Sequence, residues 1–256
     1  MKSNNVQTIY VMWLREMKKF FRAKSRIVGA LAMPFFFLFS MSFGFRSSFM
    51  STGMSGGANY LDFLVPGILG MTMLFSSTFT GLSVLSDKEF GFLKEIMVAP
   101  VERSAIVFGR ILGGVTTSLI QGLLILIISL FLGFKITSFL SVLLAIVFMI
   151  LIGVVFIGLG IAIASKMEDI HGFSMIVQFL IFPTFLFSGA LFPTDNFPVW
   201  LKPIIRINPL TYGVDGLRAS LIGFSQYSLL LDFFVLIGFA FFMVALGSWL
   251  FSKTEV

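Results

Sequence analysis

Long apolar runs alternate with short charged breaks along the whole chain. The first run, residues 27–45, holds nineteen consecutive uncharged residues and follows a 26-residue stretch with seven Lys or Arg. A helix that rises ~1.5 Å per residue needs about 20 apolar residues to cross a ~30 Å hydrocarbon layer. The pattern therefore predicts an all-α integral membrane protein with six transmembrane helices, at residues 27–45, 63–86, 111–134, 136–165, 170–194 and 233–252.

Composition and charge support a membrane class. Hydrophobic residues make up 57% of the chain and charged residues 12%, with a mean hydropathy of +1.02, whereas soluble domains carry roughly 25% charged residues. The net charge of +6 comes from basic residues that flank the apolar runs, so we attribute it to topology and anionic lipid and not to nucleic acid. With six spans, 13 basic residues lie on the side of the N-terminus and five on the other, which predicts a multi-pass cell-membrane protein with both termini cytoplasmic.

The chain lacks the motifs of several enzyme classes. It has no cysteine, no G-x-x-x-x-G-K-[ST] and no H-E-x-x-H, which excludes a thiolate site, a phosphate-binding loop of that type and a zincin motif. The single histidine, His171, stands beside Glu168 and Asp169 and is interpreted as an interfacial polar residue. We therefore expect no catalytic residue, no metal site and no cofactor in this chain, and an intramembrane enzyme is disfavoured.

Residues 1–26 predict an amphipathic helix that lies on the membrane surface, ahead of a transmembrane domain at 27–256. At ~100° per residue, apolar and aromatic side chains share one face: Val6, Ile9, Tyr10, Trp13, Met17, Phe20 and Phe21. The opposite face is cationic, with Arg15, Lys18, Lys19 and Arg22, and is expected to meet anionic headgroups. A helix packed on a partner protein is the alternative.

The break at residues 87–110 carries eight charges and is too short to form a domain. As one helix ended by Pro100, it would place Phe90, Leu93 and Met97 on a single stripe with Lys88 and Glu95 opposite. Such an apolar stripe is suited to a groove on another protein. A solvated loop that only returns the chain to the membrane is the alternative.

Polar and small residues inside the spans are few. Thr116, Thr117 and Gln121 in the third span and Gln178 in the fifth either line a pathway or bond a neighbouring helix, and we favour the helix contact. Gly109 with Gly113, and Gly158 with Ala162, form small-x-x-x-small patterns that permit close helix approach. Asp232, at the edge of the last span, is expected to lie where water or headgroups reach it.

The segment before the last span predicts a broken backbone. Five of the eight prolines fall within 27 residues, where no single helix continues. Broken helices at membrane depth persist only where protein or a water-lined cavity satisfies their polar groups. The five are Pro183, Pro193, Pro198, Pro203 and Pro209.

Three motifs resemble those of one transporter family. The run E-F-G-x-L-x-E at 89–95, the run S-G-x-x-F-P at 188–193 and the run N-P-L-T-Y-x-x-D-x-x-R at 208–218 resemble type-2 ABC transporter permeases, in particular the drug- and nodulation-exporter-like branch. The motifs, the spans and the amphipathic entry helix occur in the family's order and cover nearly the whole chain.

The resemblance implies a role for two segments. Residues 87–110 would be a cytoplasmic loop holding a short coupling helix that docks on an ATPase, with candidate residues Glu89, Phe90, Gly91, Leu93, Glu95, Pro100 and Arg103. Residues 188–218 would hold re-entrant external helices, with motif residues Ser188, Gly189, Phe192, Pro193, Asn208, Pro209, Tyr212, Asp215 and Arg218. Asp215 and Arg218, spaced i and i+3, are expected to pair locally.

The function implied by the resemblance is that of a permease subunit in an ATP-driven exporter. ATP and Mg²⁺ would bind a separate ATPase chain, two identical permeases would pair, and alternating access would move a drug, lipid or lipid-linked glycan outward. Membrane lipids and the ATPase subunit are the expected partners, without nucleic acid. The alternative is a secondary carrier or channel, although the chain shows neither inverted repeats nor a chain of intramembrane charges.

Overall fold

The fold is all-helical throughout the part of the chain that the structure, a computed structural model, describes. These residues are 5–44, 60–98, 101–194 and 197–253. Within them the chain forms ten α-helices and one short 3₁₀ helix at Val199–Leu201. The α-helices are α1 Asn5–Arg22, α2 Lys24–Gly44, α3 Tyr60–Glu89, α4 Phe92–Val98, α5 Arg103–Phe131, α6 Phe139–Lys166, α7 Ile170–Leu186, α8 Lys202–Ile207, α9 Pro209–Ile222 and α10 Leu229–Ser252.

Five of these helices are long and apolar enough to cross a membrane, which confirms the membrane class. They are α2, in its part Ile27–Gly44, with α3, α5, α6 and α10. The predicted fifth span, residues 170–194, is wrong at its end, because α7 stops at Leu186 after 17 residues. The chain then turns through Gly189, whose φ is +76°, a backbone conformation that ends a helix. A crossing by α7, and hence the count of six spans, stays a prediction.

Lys135, the single residue between the predicted spans 111–134 and 136–165, lies in a tight connection between two helices. α5 ends at Phe131 and α6 begins at Phe139, with Gly133 at φ +100° in the turn. The Ser138 side chain caps α6 by accepting a hydrogen bond from the backbone N–H of Leu140 at 3.0 Å. Two antiparallel helices therefore replace one impossibly long apolar helix.

The core of the bundle is the contact between α3 and α6, and glycines allow it. A Cβ atom at Gly81 of α3 would overlap the backbone of Gly160 in α6. On the other side of α6, a Cβ at Gly158 would lie 2.8 Å from the backbone carbon of Met243 in α10. Because these glycines lack side chains, the three helices approach to backbone contact, and the predicted close approach at Gly158 is confirmed.

The N-terminal helix α1 packs against α5 with a face that coincides only in part with the predicted apolar face, since Met17 and Phe20 belong to both. A Cβ at Gly109 would lie 2.6 Å from Met12 Cβ, and one at Gly113 would lie 2.7 Å from Glu16 Cβ. The buried residues of α1 are Met12, Glu16, Met17 and Phe20, whereas Val6, Tyr10 and Phe21 of the predicted apolar face are exposed. The two glycines of α5 allow the contact, because a side chain at either position would overlap α1.

We expect Gly81→Ala to destabilise the bundle, because the added methyl group forces α3 and α6 apart and overpacking of a core costs roughly 1–3 kcal/mol. The matched control is Gly238→Ala in α10, where nothing lies within 4 Å of the added Cβ. The melting temperature of the purified protein in detergent measures both effects. Equal melting temperatures for the two variants would contradict the close α3–α6 contact.

Candidate functional site

At one end of the bundle, charged side chains at the end of α3 bind the connection between α6 and α7. The Lys88 ammonium, at the end of α3, donates to the backbone carbonyl of Met167 at 3.2 Å. The Glu89 carboxylate accepts the backbone N–H of Ile170, the first residue of α7, at 3.0 Å. The end of α3 is therefore bonded to the connection between α6 and α7.

The turn after α3 separates the residues that the sequence analysis placed on one stripe. Gly91 has φ +74° and reverses the chain between α3 and α4, so residues 87–98 do not form one helix. Phe90 is 82% exposed in this turn, whereas Leu93 is 1% exposed inside the core. The predicted stripe of Phe90, Leu93 and Met97 is therefore wrong at its first two residues, because the glycine turn directs Phe90 and Leu93 to opposite environments. The Met97 side chain lies outside the described part of the structure.

The remaining coupling candidates occupy different positions at this end. Glu95 on α4 is exposed, and Pro100 lies outside the described residues. Arg103, in the first turn of α5, donates to the backbone carbonyl of Ser252 at the end of α10. The Glu102 carboxylate next to it accepts a hydrogen bond from the Asn5 side chain at 2.9 Å. The start of α5 therefore contacts both the first and the last helix of the described chain.

A cluster of one carboxylate and three cations, here called the Asp87 cluster, lies at the last turn of α3. Asp87 is 5% exposed. Its two oxygens each accept a hydrogen bond from one terminal nitrogen of the Arg15 guanidinium, at 2.5 and 2.7 Å. They also accept the Lys19 ammonium at 3.0 Å and the Arg110 guanidinium at 2.7 Å. The cluster thus joins α1, α3 and α5.

The Asp87 cluster also positions the short helix α4. The Arg15 guanidinium lies over the ring of Phe92, the first residue of α4, at 4.0 Å from its centroid, a favourable cation–π geometry. Arg110 is 0% exposed, so Asp87 is the group that compensates its buried charge. Removal of Asp87 would therefore leave a buried cation without a counter-ion.

Sequence reasoning missed this cluster. It assigned Arg15 and Lys19 to lipid headgroups, but both bind Asp87; Lys18 and Arg22 are exposed and keep that prediction. A usable signal was present in Arg110, which stands at the start of a long apolar run and requires an acidic partner when buried. Its partner on another helix was not readable from sequence spacing.

The other end of α3 holds the second predicted motif. The Ser188 hydroxyl donates to the carbonyl of Phe185 at 2.6 Å and accepts the N–H of Ala190 at 3.2 Å. This tight turn lies directly on α3 at Gly67, where a Cβ would overlap the carbonyl of Ala190. Both glycines are required, Gly189 for its positive φ and Gly67 for the close approach.

Arg218 ties this turn to α3 and α9. It is 5% exposed, donates to the carbonyls of Gly189 at 2.7 Å and Ala190 at 3.2 Å, and lies over the Phe63 ring at 3.7 Å. Burial lowers the pKa of Arg218 to about 10, so the guanidinium remains protonated at neutral pH. Its bonds to carbonyl oxygens are therefore charge-assisted.

The predicted local pair between Asp215 and Arg218 does not form. The Asp215 carboxylate accepts the backbone N–H groups of Gln226, at 2.9 and 3.0 Å, and of Tyr227, at 2.8 Å. Each side chain thus satisfies backbone groups of a different loop, because both loops bring otherwise unpaired polar atoms against α9. Asp232 was also misplaced by the sequence analysis, since it is 0% exposed where α10 packs on α9.

The other motif residues hold α9 in place. Asn208 accepts the N–H of Leu210 at 3.0 Å as the N-cap of α9 and donates to the carbonyl of Thr184 at 2.6 Å. Pro209 follows as the first residue of α9, and the Tyr212 hydroxyl donates to the carbonyl of Arg206 at 2.7 Å. Phe192 is 40% exposed and Pro193 is half-buried. The short helices predicted before the last span are present, whereas their re-entrant, external position stays a prediction.

A family model described as the ABC-2 type transporter matches residues 7–222, a range that contains the Asp87 cluster and all three motifs. The chain belongs to the ABC-2 type transporter family. It is a membrane permease subunit and not the ATPase itself. The resemblance seen in the sequence motifs is thereby confirmed.

Curated relatives cover most of the permease. It is 26% identical over 240 residues to the inner membrane transport permease YadH of Escherichia coli strain K12, with 91% of each chain covered. It is 25% identical over 216 residues to nodulation protein J of Rhizobium leguminosarum bv. trifolii, covering 84% of this chain and 78% of that one. It is 26% identical over 216 residues to the daunorubicin resistance permease DrrB1 of Streptomyces coeruleorubidus, covering 82% and 73%.

We expect Asp87→Asn to lower the free energy of unfolding by about 3 kcal/mol, because it leaves the buried Arg110 charge uncompensated. Lys19→Ala serves as the internal comparison. Its side chain is 37% exposed, so its loss should cost under ~1 kcal/mol. Thermal melts of the two purified variants measure the difference, and equal small effects would mean that the cluster contributes nothing to stability.

Arg218→Gln should loosen the turn at residues 187–193, since it removes the charged donor that binds two of its carbonyls, at roughly 1.5–3 kcal/mol per charged hydrogen bond. Amide hydrogen exchange of that segment measures the effect, and exchange is expected to rise there before it rises elsewhere. Arg206→Gln on α8, where the side chain is exposed, is the matched control. Unchanged amide hydrogen exchange at residues 187–193 in Arg218→Gln would show that Arg218 does not stabilise the turn.

Proposed function

We propose that the permease exports hydrophobic or amphipathic molecules outward across the cell membrane and is driven by a separate ATPase that docks at the α4 end of the bundle. The observation that carries the proposal is the position of Phe90. This large aromatic side chain is 82% exposed in a turn that is bonded to the rest of the bundle through its neighbour Glu89. Exposed aromatic side chains on a fixed backbone are typical anchors for a partner's pocket.

The Asp87 cluster supports a mechanical role for this end. A docking helix transmits movement only when it is fixed to the spans that must move. α4 follows α3 directly, its Phe92 ring contacts Arg15 of α1, and Asp87 binds Arg110 of α5. Closure of an ATPase dimer against α4 would therefore displace α1, α3 and α5 together, as alternating access requires.

The remaining features of the proposal follow from this role. ATP and Mg²⁺ bind the partner ATPase, and the docking end together with both termini faces the cytoplasm, as the distribution of basic residues favours. Two copies of the permease pair symmetrically, the commonest arrangement for identical subunits. The turn at Ser188 and Gly189, with α8 and α9, forms the external, re-entrant part of the transport path.

The proposed cargo is supported by what the relatives' names state. DrrB1 is named for daunorubicin resistance and the Rhizobium protein for nodulation, and the motifs of this chain resemble the drug- and nodulation-exporter-like branch. A drug, a lipid or a lipid-linked glycan remains within the proposed class. Transport that needs an ion gradient and no ATP would instead indicate a secondary carrier.

We expect Phe90→Ala to weaken association with the ATPase at least about ten-fold, because loss of an interface anchor typically costs 2 kcal/mol or more, by order of magnitude. The permease is isolated with an affinity tag from native membranes, and a co-isolated chain with a Walker motif is identified by mass spectrometry and then titrated. Phe139→Ala is the matched control, since Phe139 is 86% exposed at the start of α6, away from α4.

Glu89→Ala should uncouple ATP hydrolysis from export without dissociating the ATPase from the permease, because it removes the bond between the end of α3 and α7 and leaves the Phe90 side chain unchanged. ATP hydrolysis is then expected to continue while export falls. Wild-type transport in both Phe90→Ala and Glu89→Ala would remove the coupling role of this turn.

A further inference from the structure

A cavity of about 400 Å³ lies between α1, α2, α3 and α5. Its volume falls within the ~300–1,000 Å³ range of small-molecule sites. Most of its wall is apolar and aromatic, including Phe20, Met33, Phe75 and Phe79. Met33 is 50% exposed, so the cavity reaches the outer surface of the bundle beside α2, on the side that faces lipid.

Two buried acceptor atoms in the wall of this cavity have no hydrogen-bond partner among the described residues. They are Oε1 of Glu16 on α1 and Oε1 of Gln121 on α5. Glu16 is 7% exposed and Gln121 is 4% exposed, and both residues line the cavity. A buried polar atom without a partner costs roughly 1–3 kcal/mol, so a group that donated hydrogen bonds to both atoms would stabilise this arrangement.

Glu16 supplies the one carboxylate among the described residues that line the cavity. Lys19 also lines the wall, but its ammonium is bound to Asp87 at 3.0 Å. The other two nearby cations, Arg15 and Arg110, are bound to the same carboxylate. Glu16 therefore presents a carboxylate oxygen, Oε1, to which an ammonium can donate, while Arg110 keeps two nitrogens, Nε and Nη1, without a hydrogen-bond partner among the described residues.

Proline adds a further acceptor on the α2 side. Pro34 has no N–H to donate to the carbonyl of Ala30, four residues earlier, and both residues line the cavity. The free carbonyl increases the acceptor character of an otherwise apolar wall. Thr117 contributes little to it, because its hydroxyl already donates to the carbonyl of Gly114 at 2.9 Å.

We propose that this cavity binds an amphiphilic amine, with the ammonium on Glu16 and Gln121 and the apolar body among the phenylalanine rings. As a statement about cargo the assignment rests on the proposed export function, whereas the binding site itself does not. Glu16 and Lys19 lie one turn apart on α1, so an occupant that contacts Glu16 sits directly beside the Asp87 cluster that joins α1 to α3 and α5.

Binding is tested with the purified full chain in lipid nanodiscs, without ATPase or ATP. The probe is a fluorescent aromatic amphiphile that carries a primary amine, compared with its N-acetylated counterpart, which has the same body and no charge. The amine should bind saturably, and the acetylated probe should bind at least about ten-fold more weakly, since a charge-assisted hydrogen bond is roughly twice as strong as a neutral one.

Variants locate the site. Glu16→Gln and Gln121→Leu should each weaken binding of the amine about ten-fold or more, and Ala30→Phe should block the cavity. The matched controls are Glu168→Gln and Gln178→Leu, both at exposed positions, which should bind as the wild type does. Melting temperatures of all variants separate loss of the site from loss of the fold.

Equal binding of the amine and its acetylated counterpart to the wild-type protein would overturn the proposal without any variant. Saturable binding that Glu16→Gln, Gln121→Leu and Ala30→Phe all leave unchanged would overturn it as well. Because the assay contains no ATPase, either result leaves the docking role of Phe90 untouched. Loss of ATPase association in Phe90→Ala with amine binding intact would in turn leave the cavity assignment standing.

Discussion

The carboxylate of Asp87 binds three cations at one end of a largely apolar bundle. A buried guanidinium such as Arg110 is tolerated in this setting only with a counter-ion in contact. Asp87 supplies it from the last turn of α3 and also takes the cations of α1. The same contact joins the N-terminal helix to α3 and α5, and Arg15 also lies over the Phe92 ring that follows the turn at Gly91.

The opposite end of α3 is fixed by a second cation. Arg218 binds the turn at Gly189 and lies over Phe63, about 36 Å from Asp87 along the helix axis at ~1.5 Å per residue. Between the two ends, α3 contacts α6 at backbone distance through Gly81. A helix fixed at both ends and closely packed in between behaves as a rod, so it is suited to carry movement from one face of the membrane to the other.

Local sequence patterns predicted the elements that depend on local physics. Hydropathy located the long helices because a helix satisfies its own backbone and needs only enough apolar residues to match the hydrocarbon. The proline cluster predicted the breaks after α7, and the Gly133 turn followed from the length of the apolar run. The end of α7 at Leu186 was missed, because uncharged residues after it form a turn that packs on Gly67.

The partners of the polar side chains were predictable only in part. Motifs indicated that Asn208, Tyr212 and Arg218 act together, and each of them does bind backbone of the same region. They did not indicate that Asp215 prefers the N–H groups of Gln226 and Tyr227 over Arg218. The Asp215–Arg218 ion pair expected from the i, i+3 spacing does not form, because the folded loop brings the N–H groups of Gln226 and Tyr227 to the Asp215 carboxylate.

The amino-acid sequence by itself determined that this chain enters a membrane, roughly where its long apolar helices lie, and which transporter family its motifs represent, since each of these depends on residues close together in the chain. Tertiary structure alone decided that Arg15 and Lys19 turn away from lipid to Asp87, some 70 residues distant. It also placed Glu16 and Gln121 in one cavity. These contacts require the close approach of α1 to α5 at Gly109 and Gly113. That approach depends on how the surfaces of two helices pack, so the spacing of residues along one helix does not reveal it.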